Sequence, residues 1–348
     1  MSDRLRTITA DRVGALAAGA TLLGSGGGGQ VALGELLLRR ALPNRGVVVR
    51  PASDLPPNAR VVHVGVFGAP DVLAERLIAP ADMAAAARAV TEQVGGELAA
   101  VSALEIGGLN ALAAVLAAYE LDLPIVDGDL MGRAFPSIYK TTMAVAGHPA
   151  APMALVGSAG DTVVIPTCSA RLVEGLLDNC AAALGGLAAL AIYPTTAAVL
   201  AAVGIPGTLS ACVALGDAFL SAPTGEVAAL AERLGGTFLF QGRVDEIRPR
   251  DAEAPGSVTL SGAGGSVARI DLLEEFLAVT VNGTTRACTP DVIVALSPTS
   301  GHVVGTAQVR LGQALGIVAL PALHSWPPGA ESVVGPAAFG LDLDEATR

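Results

Sequence analysis

Asp127 and Asp129 lie two residues apart just after the apolar run "LPIV", and Arg133 follows four residues later. Two carboxylates beside a guanidinium can bind a metal, orient a polar ligand, or divide acid and base roles by pushing their proton affinities apart. The competing reading of the same spacing is turn chemistry, with Arg133 as a salt-bridge partner. Upstream, Glu105 and Asn110 bracket the Gly-Gly turn of "EIGGLN". A third stretch, "LGSGGGG", places Gly26, Gly27 and Gly28 ahead of an amphipathic helix expected from about Val31. Glycines let bare backbone amides approach a ligand, and that helix points its positive end the same way, so a floor for an anionic or polar group is expected, against the competing reading of a tight helix–helix turn with no ligand. Cys168, in "PTCSAR", opens a helical segment whose dipole would favour a thiolate, which makes it the candidate for a covalent route, although a buried structural cysteine is the preferred reading. The four histidines are far apart, and His63 inside "VVHVGVFG" reads as a core residue. The metal question stays open. Asp127, Asp129 and Glu105 could supply oxygens to a hard cation, but Arg133 already balances their charge, which favours carboxylates acting directly.

Nucleotide chemistry has little support. Gly24, Gly26 and Gly29 satisfy G-x-G-x-x-G, yet the residues before them have apolar positions at helical spacing, with Asp11 as a plausible N-cap, where the fingerprint requires a strand. Gln30-Val31 stands where a phosphate loop needs Lys-Ser/Thr.

The elements that must carry these residues alternate between strand and helix up to about Gly235. "VVHVGVFG" has the continuous β-branched character of a buried parallel strand, and "PADMAAAARAVTEQVGG" that of a helix closed by glycine. "LAAVSALEIGGLN", "ALAAVLAAYELD", "LPIVDGD", "DTVVIP", "ARLVEGLLDNCAAAL", "LAALAIYP" and "TAAVLAAVG" continue the alternation. In an α/β sheet, ligands meet the loops at the carboxyl ends of strands. "FGAPDVLAER", "EIGGLN" and "VDGDLMGRAFPSIYKTTMAVAGHP" occupy that position. From about Thr237 the runs become short and β-rich, and Asn282-Gly283 is a strong hairpin signal. We therefore expect an α/β layered sandwich over residues 1–235 and an all-β, barrel-like domain over 236–348, whose last residues pack back on the first domain.

Composition narrows the function classes. A net charge of −11, with 21 basic residues scattered among 32 acids, argues against nucleic acid. Hydrophobic content of 52% allows a large core and predicts a homo-oligomer. The apolar runs are broken before the roughly 20 residues a spanning helix needs, so no membrane role is expected. The first twelve residues lack the apolar core of a signal peptide, which predicts a cytoplasmic protein.

Taken in order, "LGSGGGG", "GAP", "EIGGLN", "LPIVDGDLMGRAFP", "PDVIVALS" and "VVGPAAFGLDLD" resemble the S-methyl thiohydantoin desulfurase family across nearly the whole chain. The "DGDLMGRAFP" block is the most specific. The resemblance implies an α/β domain followed by a barrel-like one, and hydrolysis of an S-alkylated thiohydantoin to a hydantoin with release of a thiol. For that reaction the leading reading makes Asp127 or Asp129 the base, or a ligand for a metal that activates the water, with Glu105 and Asn110 holding the ring edges and Arg133 and the glycine-loop amides a substrate carboxylate. Met131, in the same loop, joins Asn110 and Cys168 among the substrate-binding candidates. A departure lies in the C-terminal domain, where a Gln-Asn-Glu segment is expected and "LLEEFL" keeps only Glu275. The alternatives are a non-catalytic partner or small-ligand-binding subunit of a hydantoinase-type system and, more weakly, a dinucleotide-binding oxidoreductase.

Overall fold

The computed structural model describes residues 5–69, 72, 79–222, 226–250 and 254–343. The chain opens with β1 (Thr7–Ile8), α1 (Val13–Leu23), α2 (Val31–Ala41), β2 (Val47–Arg50), β3 (Arg60–Gly68) and α3 (Pro80–Val94). It continues through β4 (Leu98–Ala103), α4 (Leu109–Leu121), β5 (Ile125–Val126), β6 (Gly128–Asp129) and α5 (Thr142–Val145). β7 (Met153–Gly157), β8 (Thr162–Ile165), α6 (Val173–Ala183), β9 (Leu187–Thr196), α7 (Ala197–Val203), β10 (Ile205–Pro206), α8 (Thr208–Leu220) and α9 (Val227–Arg233) complete the first half. The second is β11 (Thr237–Arg248), β12 (Gly256–Gly262), β13 (Val267–Leu272), β14 (Phe276–Val281), β15 (Thr284–Cys288), β16 (Val292–Leu296), β17 (Ala314–Leu320) and α10 (Glu331–Val334).

Local chemistry explains several boundaries. α3 starts at Pro80, whose missing N–H costs nothing there, and Asp82 reaches back to the Ala79 amide at 2.9 Å. Gly95, at φ 70°, ends it. α1 is different: Asp11 does not cap it but sits in a short turn and accepts the Thr9 hydroxyl at 2.6 Å.

Eight strands form one sheet in the order β1-β2-β5-β4-β3-β9-β7-β8. β2, β5, β4 and β3 run parallel, whereas β9 is antiparallel to β3 and to β7. The strand–helix alternation suggests a parallel sheet, and the structure makes it mixed. For the β7–β8 pair the cause is local: only "SAGD" separates the two strands, which allows a hairpin but no crossover. Successive residues of the same strands serve two cores. Val62, Val64, Val101 and Ala103 pack with α1, α3, α4 and α8, while Val61, Ala100 and Leu104 pack with α6, α7 and residues 330–341. That two-sided burial explains the unbroken apolar runs of β3 and β9.

The second sheet, β15-β14-β13-β12-β11-β17-β16, is antiparallel throughout and curls into a half-barrel around its own core, which includes Phe240, Leu260, Ile270, Phe276 and Ile317. Asn282 and Gly283, at φ 49° and 80°, make the β14–β15 hairpin turn that the sequence signals. Val292, Val294, Leu296, Val318 and Leu320 join the core built on α1 and α8, so the two sheets share packing. Among the described residues no helix is long and apolar enough to cross a membrane.

Candidate functional site: a buried carboxylate junction

The ends of β4 and β6, the glycine loop and the start of β14 meet at one place. The glycine loop docks there through its backbone. Its Ser25, Gly26 and Gly28 carbonyls accept from the amides of Phe276, Thr306 and Leu109 at 2.7–2.8 Å. A Cβ on Gly27 would stand 2.3 Å from Glu275 Oε1 and 2.6 Å from the Glu274 carbonyl. A Cβ on Gly108 would stand 1.9 Å from the Gly28 carbonyl oxygen, so both glycines are dictated by close backbone approach. The bare backbone expected here is present, and what comes up against it is Glu275, Phe276 and the "EIGGLN" turn.

Asp127 and Asp129 have separate partners. Asp127 accepts the Ser210 amide at 2.9 Å on Oδ1 and the Ser210 hydroxyl at 2.6 Å on Oδ2, so it caps the N-terminus of α8 from a distant strand end. Asp129 is fully buried, and its Oδ2 accepts three amides, from Ile106, Met131 and Gly132, at 2.8–3.1 Å. Its Oδ1 has no hydrogen-bond partner, and neither has the buried Thr208 hydroxyl, which faces Asp129 and favours its anion. Burial pushes the Asp129 carboxyl up to about 6, against the pull of the three amides and of Thr208.

Glu105 is 6% exposed; Oε1 accepts the Asn110 amide at 2.5 Å and Oε2 the Phe135 N–H at 3.2 Å. Asn110 in turn accepts the Val66 amide at 2.6 Å, which ties the pair to β3. Burial raises Glu105 to about 8, with Asp129 adding repulsion. Glu275 is 2% exposed and also raised to about 8, by burial first and then by the charge of Glu105. Its Oε2 has no partner, while the Gly28 amide favours its charged form.

Arg133 is 1% exposed and forms no ion pair within 4.0 Å among the described residues. It donates to the Ala134, Asp291 and Phe276 carbonyls, and its guanidinium lies 5.1 Å from the Phe135 ring centroid. Burial lowers it to about 10, while the charges of Glu275, Asp291 and Glu105 pull it back up. Glu105 and Glu275 therefore flank one buried cation, and Asp129 is coupled to them through Glu105. Strongly shifted groups held together in this way mark a candidate site for proton transfer.

Of the residues singled out from sequence, Asp129, Glu105, Asn110, Arg133 and Gly26–Gly28 come together. Met131 contributes its amide to Asp129, and its side chain is buried in the core beneath. Asp127 is adjacent in sequence but engaged by α8. Cys168 follows β8 at the far edge of the sheet, and its thiol donates to the Ser169 carbonyl at 3.1 Å. "FGAPDVLAER" falls largely on residues 70, 71 and 73–76, outside the described residues. His63 is a core histidine: Nδ1 lies 2.9 Å from the Tyr193 carbonyl, and burial lowers it to about 4. Among the described residues no group of three or more His, Cys, Asp or Glu is arranged to hold a metal ion. Glu275 is the member that spacing alone does not find. Its signal is a carboxylate at the mouth of an apolar strand, in "LLEEFLAV".

A search of curated proteins finds no match. A crystal structure of a protein from Chromobacterium violaceum is similar over 91% of this chain and 92% of that one, with 26% identity and a TM-score of 0.78. The family model described as S-Me-THD-like, N-terminal domain, matches residues 11–167, and that described as S-Me-THD-like, C-terminal domain, matches residues 168–347. The models meet just beyond β8, although β9 returns to the first sheet and the second sheet begins only at Thr237. With both models matched in order over nearly its whole length, the chain belongs to the S-Me-THD-like family.

Proposed function

We propose that the chain is a hydrolase that adds water to the sulfur-bearing carbon of an S-alkylated thiohydantoin-like ring and releases a thiol. The observation that carries this reading is the buried trio of Asp129, Glu105 and Glu275, raised to about 6, 8 and 8, in a member of this family. Such a hydrolysis needs a base for water and an acid for the departing sulfur. At neutral pH Asp129 is mostly ionised, and its unpartnered Oδ1 takes a proton from water as the water oxygen bonds to the ring carbon. The ring C=N electrons move onto nitrogen, which receives that proton from Asp129. Glu275, mostly protonated, gives its proton to sulfur as the C–S bond breaks. The new hydroxyl becomes the hydantoin carbonyl, and its proton restores Glu275. Glu105 and Asn110 hold the ring's polar edges, and Arg133 offsets the charge that develops.

Incubation of the purified chain with an S-methyl thiohydantoin, with thiol and hydantoin both quantified, tests this reading. One thiol per hydantoin is expected, and Asp129→Asn or Glu275→Gln lowers the rate by roughly 10²–10⁴-fold, the usual worth of a positioned acid or base. A second reading, a non-catalytic partner subunit of a hydantoinase-type system, draws on the glycine loop, whose carbonyls are already engaged by protein amides. Absence of thiol above the buffer rate would select it. Activity abolished by a chelator and restored by one divalent metal would replace direct carboxylate chemistry with a metal-activated water.

A further inference from the structure

The chain is poor in aromatic residues, 3% in all, and its sole tryptophan lies beside the carboxylate junction. Phe135, whose N–H bonds Glu105, meets the Trp326 ring edge to face at a centroid separation of 6.3 Å and an interplanar angle of 80°. Trp326 in turn meets His324 at 6.1 Å and 68°. Both are carried by the exposed segment 321–329, which runs between β17 and α10. That segment is moored to the junction twice. The Ala322 amide donates to the Asp291 carboxylate at 3.3 Å while Arg133 donates to the Asp291 carbonyl, and Leu323 lies against Gly132. His324 and Trp326 are both half-buried although Ser325, Pro327 and Pro328 beside them are exposed. Phe135 also stacks on Phe339 at 6.3 Å and 6°, and Trp326 packs on the core cluster that holds both, so part of the group fills core. Trp326 and His324 nevertheless stay half-exposed on this segment, where a wall beside a bound ligand needs them.

We infer that Phe135, His324 and Trp326 form the substrate-facing wall of this site, and that Trp326 selects ligands whose reacting ring carries an aromatic substituent. This rests on the hydrolase reading for the identity of the ring. Phe135 is the aromatic next to the carboxylates, and Trp326 stands one ring further out. With the reacting ring at Glu105 and Asp129, the group that reaches Trp326 is therefore its substituent. Edge-to-face and offset-stacked contacts of this kind favour a flat conjugated group over an alkyl one.

Because Trp326 is the only tryptophan, its emission reports on this wall directly. The probes are 5-benzylhydantoin and 5-methylhydantoin, which carry the product ring and need no turnover to be read. The expected result is a saturable change in Trp326 emission with the benzyl probe, which binds roughly 2- to 10-fold more tightly than the methyl one, the span that aromatic pairs usually contribute. By calorimetry, Trp326→Ala should erase that preference and Trp326→Phe should keep most of it. Two results overturn the inference: calorimetric binding without any emission change, or a benzyl preference that survives in Trp326→Ala. Thiol release with an unresponsive Trp326 removes the wall but leaves the hydrolase. A benzyl-selective emission change without thiol release keeps the wall and removes the reaction.

Discussion

Glu275 and Asp127 are both buried acids near the junction, and they should answer substitution in opposite ways. Glu275 has an oxygen with no partner and a carboxyl raised to about 8 from an ordinary value of 4.5. A raised folded value means that the native state holds the proton more tightly than the unfolded chain. The associated stability is fully present below about pH 4.5 and is lost as pH rises through about 8. Glu105 behaves alike, and Asp129 acts in the same direction from 3.8 to about 6. Melting temperature should therefore fall from pH 5 to pH 9, and Glu275→Gln should flatten that fall while lowering turnover. An unchanged slope in the variant would show that Glu275 is charged in the fold at neutral pH. Asp127, in contrast, bonds two Ser210 groups at the head of α8. Asp127→Ala should cost about 0.5–2 kcal/mol of stability, the usual worth of a helix cap, and leave turnover within a few fold. A loss of turnover near that of Asp129→Asn, with little change in melting temperature, would return Asp127 to the chemistry.

Among the elements, the glycine loop is the piece most exposed to small changes. Gly27→Ala brings a methyl group to within 2.3 Å of Glu275 Oε1, and the Glu274 carbonyl behind it is backbone that cannot rotate away. Overpacking of this kind typically costs 1–3 kcal/mol, and here the movement also displaces Glu275. The variant should lose both melting temperature and turnover, whereas Gly283→Ala, in a hairpin turn with nothing within 4 Å, should lose stability alone. Equal turnover in the two variants would contradict the placement of the loop against the site. The same elements show what sequence can and cannot reveal. The strand of "VVHVGVFG", the Asn282-Gly283 turn and the helix from Val31 are written in local spacing, and the structure has them. The different surroundings of Asp127 and Asp129 are not. They depend on α8, some 80 residues later, setting its first turn on Asp127, and no local pattern in "DGD" encodes that docking. Glu275 is kept in the family resemblance, but local spacing does not place it at the site, since its neighbours Gly27 and Gly28 are about 250 residues away.

At the scale of the whole molecule, the candidate site exists only where the α/β layers and the half-barrel meet. Asp129, Glu105, Asn110 and Arg133 come from the first, Glu275 from the second, and the glycine loop packs against both. The two sheets share packing through Val292, Leu296 and Val318, and burial at their junction is what raises all three carboxyl groups. The proposed hydrolysis therefore needs two proton affinities that bracket neutrality: a base at about 6 and an acid at about 8. The pH dependence of kcat/KM for thiol release from an S-methyl thiohydantoin reads both at once. The account predicts a bell with an ascending limb near pH 6 and a descending limb near pH 8, the descending limb disappearing in Glu275→Gln. A profile flat from pH 5 to pH 9, or a descending limb that persists unchanged in Glu275→Gln, would contradict it.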